Sequence, residues 1–433
     1  MRAAVIGAGI GGLAAAHDLA RAGWEVTIFE SATQVGGLAS GFREPHWDWS
    51  VERFYHHWFA SDRHILGFAE ELGVGQGVVF RRPTTVMYHG GRFYPFDSPL
   101  AALRFPGLGW GLDKLRFGLV GLYLRRTRNW QPLELVTVAE WMRRWAGPRV
   151  WERMWEPMVI GKFGERYAGL VNMAWLWARL HVRTPSLGTY EGGFQAFVDE
   201  VVERLRRRGV RIELGARVER IAARPGGGLG VAVAGAGELA FDRCLATCSP
   251  ALLARLAPEL PSTYLDGLLA LHSLGAVVMV LVLAQPLSPE GYYWYNLPKS
   301  AGFPFLALVE HTNFVPRERF GGDVIVYCGD YLETDHEYFR LSHDELLGRF
   351  LPALARVNPT FRPEWVRGSW LHRTTYAQPV PLVGHSRHVP AIATPLPGLF
   401  FASMSQVYPW DRGTNFAVEI GRRAARLMTG GQA

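Results

Sequence analysis

Three cysteines in 433 residues are too few, and odd in number, for a disulfide framework; they fit a reducing compartment. Cys244 and Cys248 are four apart, not in a C-x-x-C pair, and end an apolar run, which reads as core. Long apolar runs are also missing. Leu268 to Pro289 lacks Asp, Glu, Lys and Arg, but its unbroken part, Leu274 to Ala284, falls short of the ~20 residues a bilayer span needs. Val277 to Leu283 reads instead as a buried strand. No signal peptide is expected, because the first apolar residues are taken up by a strand and a helix. Ser-His-Asp order, a carboxylate dyad, metal-ligand spacing and nucleic-acid motifs are all lacking, so no metal and no nucleic-acid partner is expected. With 48% hydrophobic and 20% charged residues, the chain is globular, and its length calls for two domains.

What is present is concentrated in the first thirty residues. Val5-Ile6-Gly7-Ala8-Gly9-Ile10-Gly11-Gly12-Leu13 runs an apolar strand through a glycine loop into a helix, and a second strand, Glu25 to Phe29, ends on Glu30. This is G-x-G-x-x-G in its strand-turn-helix context. Gly7 permits the tight turn, Gly9 leaves room for a pyrophosphate, and Gly12 lets helix and strand approach. The helix N-terminus offers free N–H groups and a partial positive charge to phosphates. Glu30 can accept both hydroxyl hydrogens of an adenosine ribose and would repel a 2′-phosphate, which disfavours NADP.

Formal charge is +7, much of it near residues 104–128 and 203–211. Leu115 to Arg126 is apolar and flanked by arginines. Two readings are open: a buried helix with a solvated end, or an interfacial helix lying in lipid with its arginines at the headgroups. Further along, 62–73, 98–127 and 137–182 read as helical. The last contains Trp141, Trp145, Trp151 and Trp155 in two i,i+4 pairs, a spacing that usually marks core. A helix over 195–208 precedes short strands at 210–214 and 217–221. Strands at 276–283, 305–309 and 323–328 suggest a second sheet, followed by a helix over 343–357. The C-terminus gives a strand, Leu399 to Ala402, a polar loop, Ser403 to Asn415, and a helix over 416–428.

These segments in this order resemble the FAD-dependent amine oxidase superfamily, which includes protoporphyrinogen oxidase, the phytoene and squalene desaturases and, more distantly, UDP-galactopyranose mutase. The resemblance covers nearly the whole chain. It implies an α/β fold: a Rossmann-type FAD-binding domain (glutathione-reductase-2-like) with an interleaved α+β substrate domain. The corresponding division is 1–95, 188–250 and 385–433 for FAD binding, and 96–187 and 251–384 for substrate. It further implies that Gly7, Ala8, Gly9, Ile10, Gly11, Gly12, Glu30 and Ser31 lie along the nucleotide, with Gly36, Gly37 and Leu38 near the flavin diphosphate. Val218 would hold the adenine through its backbone. Ser403, Met404, Thr414 and Asn415 would contact diphosphate, ribityl chain and ring. FAD is favoured over NAD because NAD folds do not need the C-terminal return. Two departures stand out. The family usually has Arg or Lys where this chain has Leu38, and Gly-Asp where it has Ser403-Met404.

The candidate chemistry lies in two segments. His46 to Trp58 is rich in aromatic and titratable groups, and in related flavoproteins it passes beside the isoalloxazine ring. This makes His56 or His57 a proton carrier or hydrogen-bond donor, since histidine titrates near neutrality. Asp411-Arg412, on the loop before the last helix, forms either a structural ion pair or a substrate-orienting group. The expectation is an FAD-dependent oxidoreductase acting on a bulky apolar substrate, isoprenoid or tetrapyrrole, by hydride transfer to or from flavin N5. The alternatives are a mutase-like sugar-nucleotide isomerase using reduced FAD and a flavin-stabilised lipid-binding protein. A cytoplasmic location with peripheral membrane contact is expected. The electron partner is not readable from sequence.

Overall fold

A computed structural model describes residues 1–109 and 111–431. The chain opens with β1 (Arg2–Ile6), α1 (Ile10–Arg21) and β2 (Glu25–Glu30). Next come α2 (Arg63–Glu71) and a hairpin, β3 (Thr85–His89) and β4 (Arg92–Pro95). A helical stretch holds α3 (Leu112–Arg126), α4 (Glu156–Ala168) and α5 (Met173–Val182). α6 (Phe194–Arg207), β5 (Arg211–Leu214) and β6 (Arg243–Ala246) follow. Then come β7 (Ser273–Leu283), β8 (Trp294–Asn296), β9 (Ala307–Glu310), β10 (Val324–Leu332), α7 (His343–Val357) and β11 (Val366–Pro379). β12 (Leu399–Phe401) and α8 (Thr414–Met428) complete the order.

The first sheet is wholly parallel, in the order β5-β2-β1-β6-β12. Its strands other than the exposed edge strand β5 are largely apolar on both faces because both are covered. Ala3 and Val5 pack with α1, α6 and α8, while Ala4 and Ile6 enter a second core with the antiparallel strands between 218 and 241. Glycine sets the closest helix contact: a Cβ on Gly421 of α8 would lie 2.2 Å from the Gly11 carbonyl oxygen of α1. Around this contact, Arg422 joins Asp18 and Glu71, and Arg21 also joins Glu71, tying α1, α2 and α8 together.

The second sheet runs β11-β7-β10-β9-β8-β3-β4. Alternate β7 residues feed two cores: Val277, Met279 and Leu281 pack toward α7, and Val278, Val280 and Val282 pack toward Trp47 and Trp49. β3 and β4 pair into this sheet although they lie within 1–95. β11, which the sequence did not announce, is an edge strand whose polar residues stay partly solvated.

The helical region is more broken than its periodicity implies. The segment 98–127 splits into a short helix at Pro99–Arg104, a 3₁₀ turn at Pro106–Leu108, and α3; Trp110 lies outside the described residues. The segment 137–182 is interrupted at Gly147, which has φ of 97°, by Pro148, by a five-residue π turn over Trp151–Trp155, and at Asn172. Asn172 accepts a hydrogen bond from the Trp175 N–H at 3.1 Å and starts α5 as its N-cap. Trp151 and Trp155 are core, but Trp145 is exposed.

Leu115 to Arg126 is not a buried helix. Leu112, Leu115, Leu119 and Leu122 are 70%, 58%, 58% and 47% exposed, and only Val120 and Leu124 of α3 are buried. Spacings of three and four residues put the exposed leucines on one stripe. Among the described residues, no helix is long and apolar enough to cross a membrane.

Candidate functional site

The carboxyl ends of β1 and β2 carry the glycine loops. Gly7, at φ of 104°, turns the chain out of β1, and its N–H donates to the Phe29 carbonyl at 2.8 Å. A Cβ on Gly12 would stand 2.1 Å from the Gly7 carbonyl oxygen, whereas a Cβ on Gly9 would meet nothing within 4 Å. The second loop lies against the first. The Gly36 N–H donates to Ala8 O at 2.9 Å, and a Cβ on Gly37 would lie 3.3 Å from the Gly9 Cα. Leu38, half-buried, follows in a 3₁₀ turn. The α1 N-cap, Gly9, makes no side-chain capping bond, so the N–H groups of Ile10, Gly11 and the residues beyond face the loop opening. Glu30 accepts from the Ala8 N–H at 2.8 Å and the Ala32 N–H at 2.9 Å, with Ser31 Oγ donating at 3.4 Å. Its remaining lone pairs suit a ribose. Backbone bonds from Gly215 to Ala32 and from Ala216 to Glu30 bring Val218 to the same end of the sheet. An uncapped helix N-terminus, open space before Gly9 and a carboxylate at the second strand fit a flavin adenine dinucleotide.

The C-terminal return is built differently from the simple expectation. The Ser403 N–H donates to Gln406 Oε1 at 2.8 Å, and Gln406 in turn donates to Phe401 O at 3.0 Å, so the chain after β12 is fixed by an amide. Met404 is half-buried beside it. Thr414 Oγ1 accepts from the Trp58 indole at 2.9 Å. Asn415 Oδ1 accepts from the N–H groups of His64 and Ile65 at 2.8 and 3.2 Å, capping α2, so this oxygen is already engaged within the protein. The α8 N-terminus itself, at Gly413, carries no side-chain cap.

His56 and His57 do not titrate near neutrality. Burial holds His56 down at about 4, partly offset by its bond to the Phe54 carbonyl. Burial, followed by the charge of Arg183, holds His57 at about 3. Both are neutral imidazoles at pH 7, able to make hydrogen bonds but not to store a proton. His57 Nδ1 is buried with no partner among the described residues.

Arg412 leads to the group that sequence reasoning missed. Its Nε donates to Gln378 Oε1 at 2.8 Å, and its other donor reaches the Tyr331 hydroxyl. Asp411 pairs with Arg179 of α5. Lys162 of α4 places its Nζ 4.8 Å from the Tyr331 ring centroid. Burial, with Arg179 and Arg412 nearby, pushes its amine well below the ordinary lysine value. Arg183, just after α5, is exposed. Asp411 is held low despite its burial by Lys162, Arg179 and Arg412. Tyr55 packs on Gly329 of β10 within range of the same charges. An aromatic stack continues from here. The Trp410 and Phe416 rings stack at 5.6 Å, and Trp177 lies 5.3 Å from Trp410. No short motif carries these residues; they come from two helices, two strands and a loop.

A doubly covered parallel sheet with a glycine-rich nucleotide cradle, closed by a C-terminal strand and helix, defines a flavin-dependent oxidoreductase architecture. Residues 10–429 match the family described as flavin containing amine oxidoreductase, and the chain belongs to it. FAD is its cofactor. Curated relatives include the 15-cis-phytoene desaturase of Narcissus pseudonarcissus, 28% identical over 160 residues, covering 33% of this chain and 28% of the relative. The carotenoid phi-ring synthase of Streptomyces griseus is 31% identical over 114 residues, covering 24% of this chain and 22% of the relative. The matched segments span about a third or less of the length of the curated relatives. The fold is that of a chain from Exiguobacterium sp. 255-15 assigned as a protoporphyrinogen oxidase, with a TM-score of 0.77 at 18% identity, covering 100% of this chain and 99% of that one. A reduced UDP-galactopyranose mutase has a TM-score of 0.73 at 16% identity, with 99% and 95% coverage.

Proposed function

We propose that this FAD-dependent oxidoreductase acts on a bulky apolar substrate of the isoprenoid or tetrapyrrole class. The observation that carries the reading is the aromatic wall of Trp410 and Phe416, stacked and partly exposed, beside a concavity lined by Trp410, Asp411, Arg412 and Gln378. Relatives whose names place them in carotenoid desaturation and ring synthesis support it. When bound, FAD supplies two-electron chemistry at N5. Gly9 and the α1 N-terminus hold its diphosphate, and Glu30 its ribose. The aromatic wall orients an apolar chain or ring and excludes water. Neutral His57, with a free nitrogen, offers a hydrogen bond rather than a proton. Arg412, fixed by Gln378 and Tyr331, supplies a permanent positive charge. The exposed leucine stripe of α3, with Arg116, Arg125 and Arg126 beside it, suits contact with an anionic lipid surface from which such a substrate arrives.

A strain lacking the gene should accumulate a lipid or pigment differing by two hydrogens from its normal counterpart, and the purified flavoprotein should convert that compound. An unchanged lipid and pigment profile overturns the substrate class.

A further inference from the structure

We propose that Lys162, Arg179 and Arg412 bind an oxyanion, phosphate or carboxylate, carried at one end of the substrate. The inference rests on the reading of this concavity as the substrate site and adds a polar head to the apolar body proposed there.

The group is out of electrostatic balance. Three cations, Lys162, Arg179 and Arg412, surround one carboxylate, Asp411, which is engaged by Arg179. Asp330, beside Tyr331 on β10, is paired with Lys299 at 3.0 Å. Arg412 directs its donors to two neutral oxygens, those of Gln378 and Tyr331. Lys162 is 9% exposed and, among the described residues, has the face of Tyr331 as its contact and no hydrogen bond or ion pair. Asp411 favours the charged form of Lys162 but is bonded to Arg179, and burial with Arg179 and Arg412 nearby disfavours the ammonium. A well-packed apolar side chain of the same length would serve the fold better, so the amine is kept for something that enters. An oxyanion would draw on the donors of lysine and the planar forks of the arginines together. The flavin diphosphate does not meet this need, because its cradle lies on α1 and the glycine loops. The cations stand instead on α4, on α5 and on the loop before α8, next to β10 and β11. Trp175, which lies under Arg179, and Trp410 line one cavity with Asp411, Arg412 and Gln378, and Trp410 stacks on Phe416. A charged head followed by an apolar body fits that sequence of surfaces.

The test is to titrate the purified, flavin-loaded protein with dodecyl phosphate, dodecanoate and dodecanol below their micellar limits. Binding is read by tryptophan fluorescence and calorimetry. One of the anions should bind at least tenfold tighter than dodecanol, and the tighter of the two identifies the head group. Lys162→Met and Arg412→Gln should each weaken that anion tenfold or more and leave dodecanol unchanged. Lys162→Met should also raise Tm, which separates loss of a ligand contact from loss of the fold. Equal binding of alcohol and anions, or undiminished anion binding by the folded Lys162→Met variant, overturns the proposal. Anion binding without turnover of any apolar compound removes the substrate reading and leaves the oxyanion site standing. Turnover of an apolar compound with no anion preference does the reverse.

Discussion

Gly9 and Gly12 are three residues apart in one loop and answer to different demands. Alanine at Gly12 would drive its Cβ to 2.1 Å from a backbone oxygen, so Gly12→Ala should unfold the N-terminal unit or lower Tm by more than 10 °C. Alanine at Gly9 meets open space at an ordinary backbone angle, φ −72°. Gly9→Ala should therefore keep its far-ultraviolet circular dichroism and Tm as apoprotein while losing most of its bound flavin, measured by absorbance at 450 nm. Glu52 makes a different kind of test. It is 1% exposed, accepts from the Phe194 N–H at 3.0 Å, and burial pushes its carboxyl up to about 7. A raised carboxyl stabilises the fold fully below its unfolded value near 4.5, and that contribution is lost as pH rises through about 7. The loss is on the order of 3 kcal/mol. Glu52→Gln should flatten this part of the stability profile between pH 5 and 8; denaturant melts at both ends, compared with the parent, measure it. At this scale the glycine loop was fully legible, since it is contiguous and each glycine answers a local steric demand. The neutral state of His56 and His57 was not, because it depends on what buries them.

Among the elements, α3 behaves least as a core helix should. Immersing an exposed leucine in an apolar phase is worth roughly 1.5–3 kcal/mol, so the proposed surface contact of four on one stripe would be reversible and reinforced by arginine. Leu115→Glu and Leu119→Glu together should abolish co-sedimentation with vesicles containing anionic phosphatidylglycerol. Because both positions face outward, Tm should move by less than about 3 °C. Retained vesicle binding by the double variant would end the surface role of α3. The sequence offered a buried or an interfacial helix here without deciding between them, as an apolar stripe has the same period whether protein or lipid covers it. It also fused separate helices across 137–182. Apolar periodicity carries through the π turn, while the breaks depend on the left-handed Gly147 and the capping side chain of Asn172. β11 escaped notice for the opposite reason: an edge strand with solvated residues shows no clean alternation.

The molecule as a whole is held by two sheets with separate cores, and the candidate site draws on both. The nucleotide cradle could be read from thirty contiguous residues. The cationic group could not, since Lys162, Arg179, Tyr331, Gln378 and Arg412 meet only when helical region, second sheet and C-terminal loop have packed. Acid should disassemble this arrangement. His56, His311, His372 and His385 are each lowered to about 4 by burial, and His57 to about 3. Groups depressed in this way stabilise the fold above the unfolded value near 6.5 and lose that contribution as pH falls through 4. Flavin release followed by fluorescence should begin below pH 6 and be complete near pH 4; a holoprotein unchanged at pH 4 would contradict the buried, neutral state of these rings.

The interlock of Gly11 with Gly421 has a consequence for biosynthesis. The helix that closes against the first one, α8, is translated long after it, and the parallel sheet gains its fifth strand only at residues 399–401. A nascent chain on the ribosome thus holds a nucleotide loop with no wall behind it. Cofactor acquisition waits until residues 414–428 have left the ribosome, and a premature stop codon before β12 yields a colourless product however much of the glycine motif it retains.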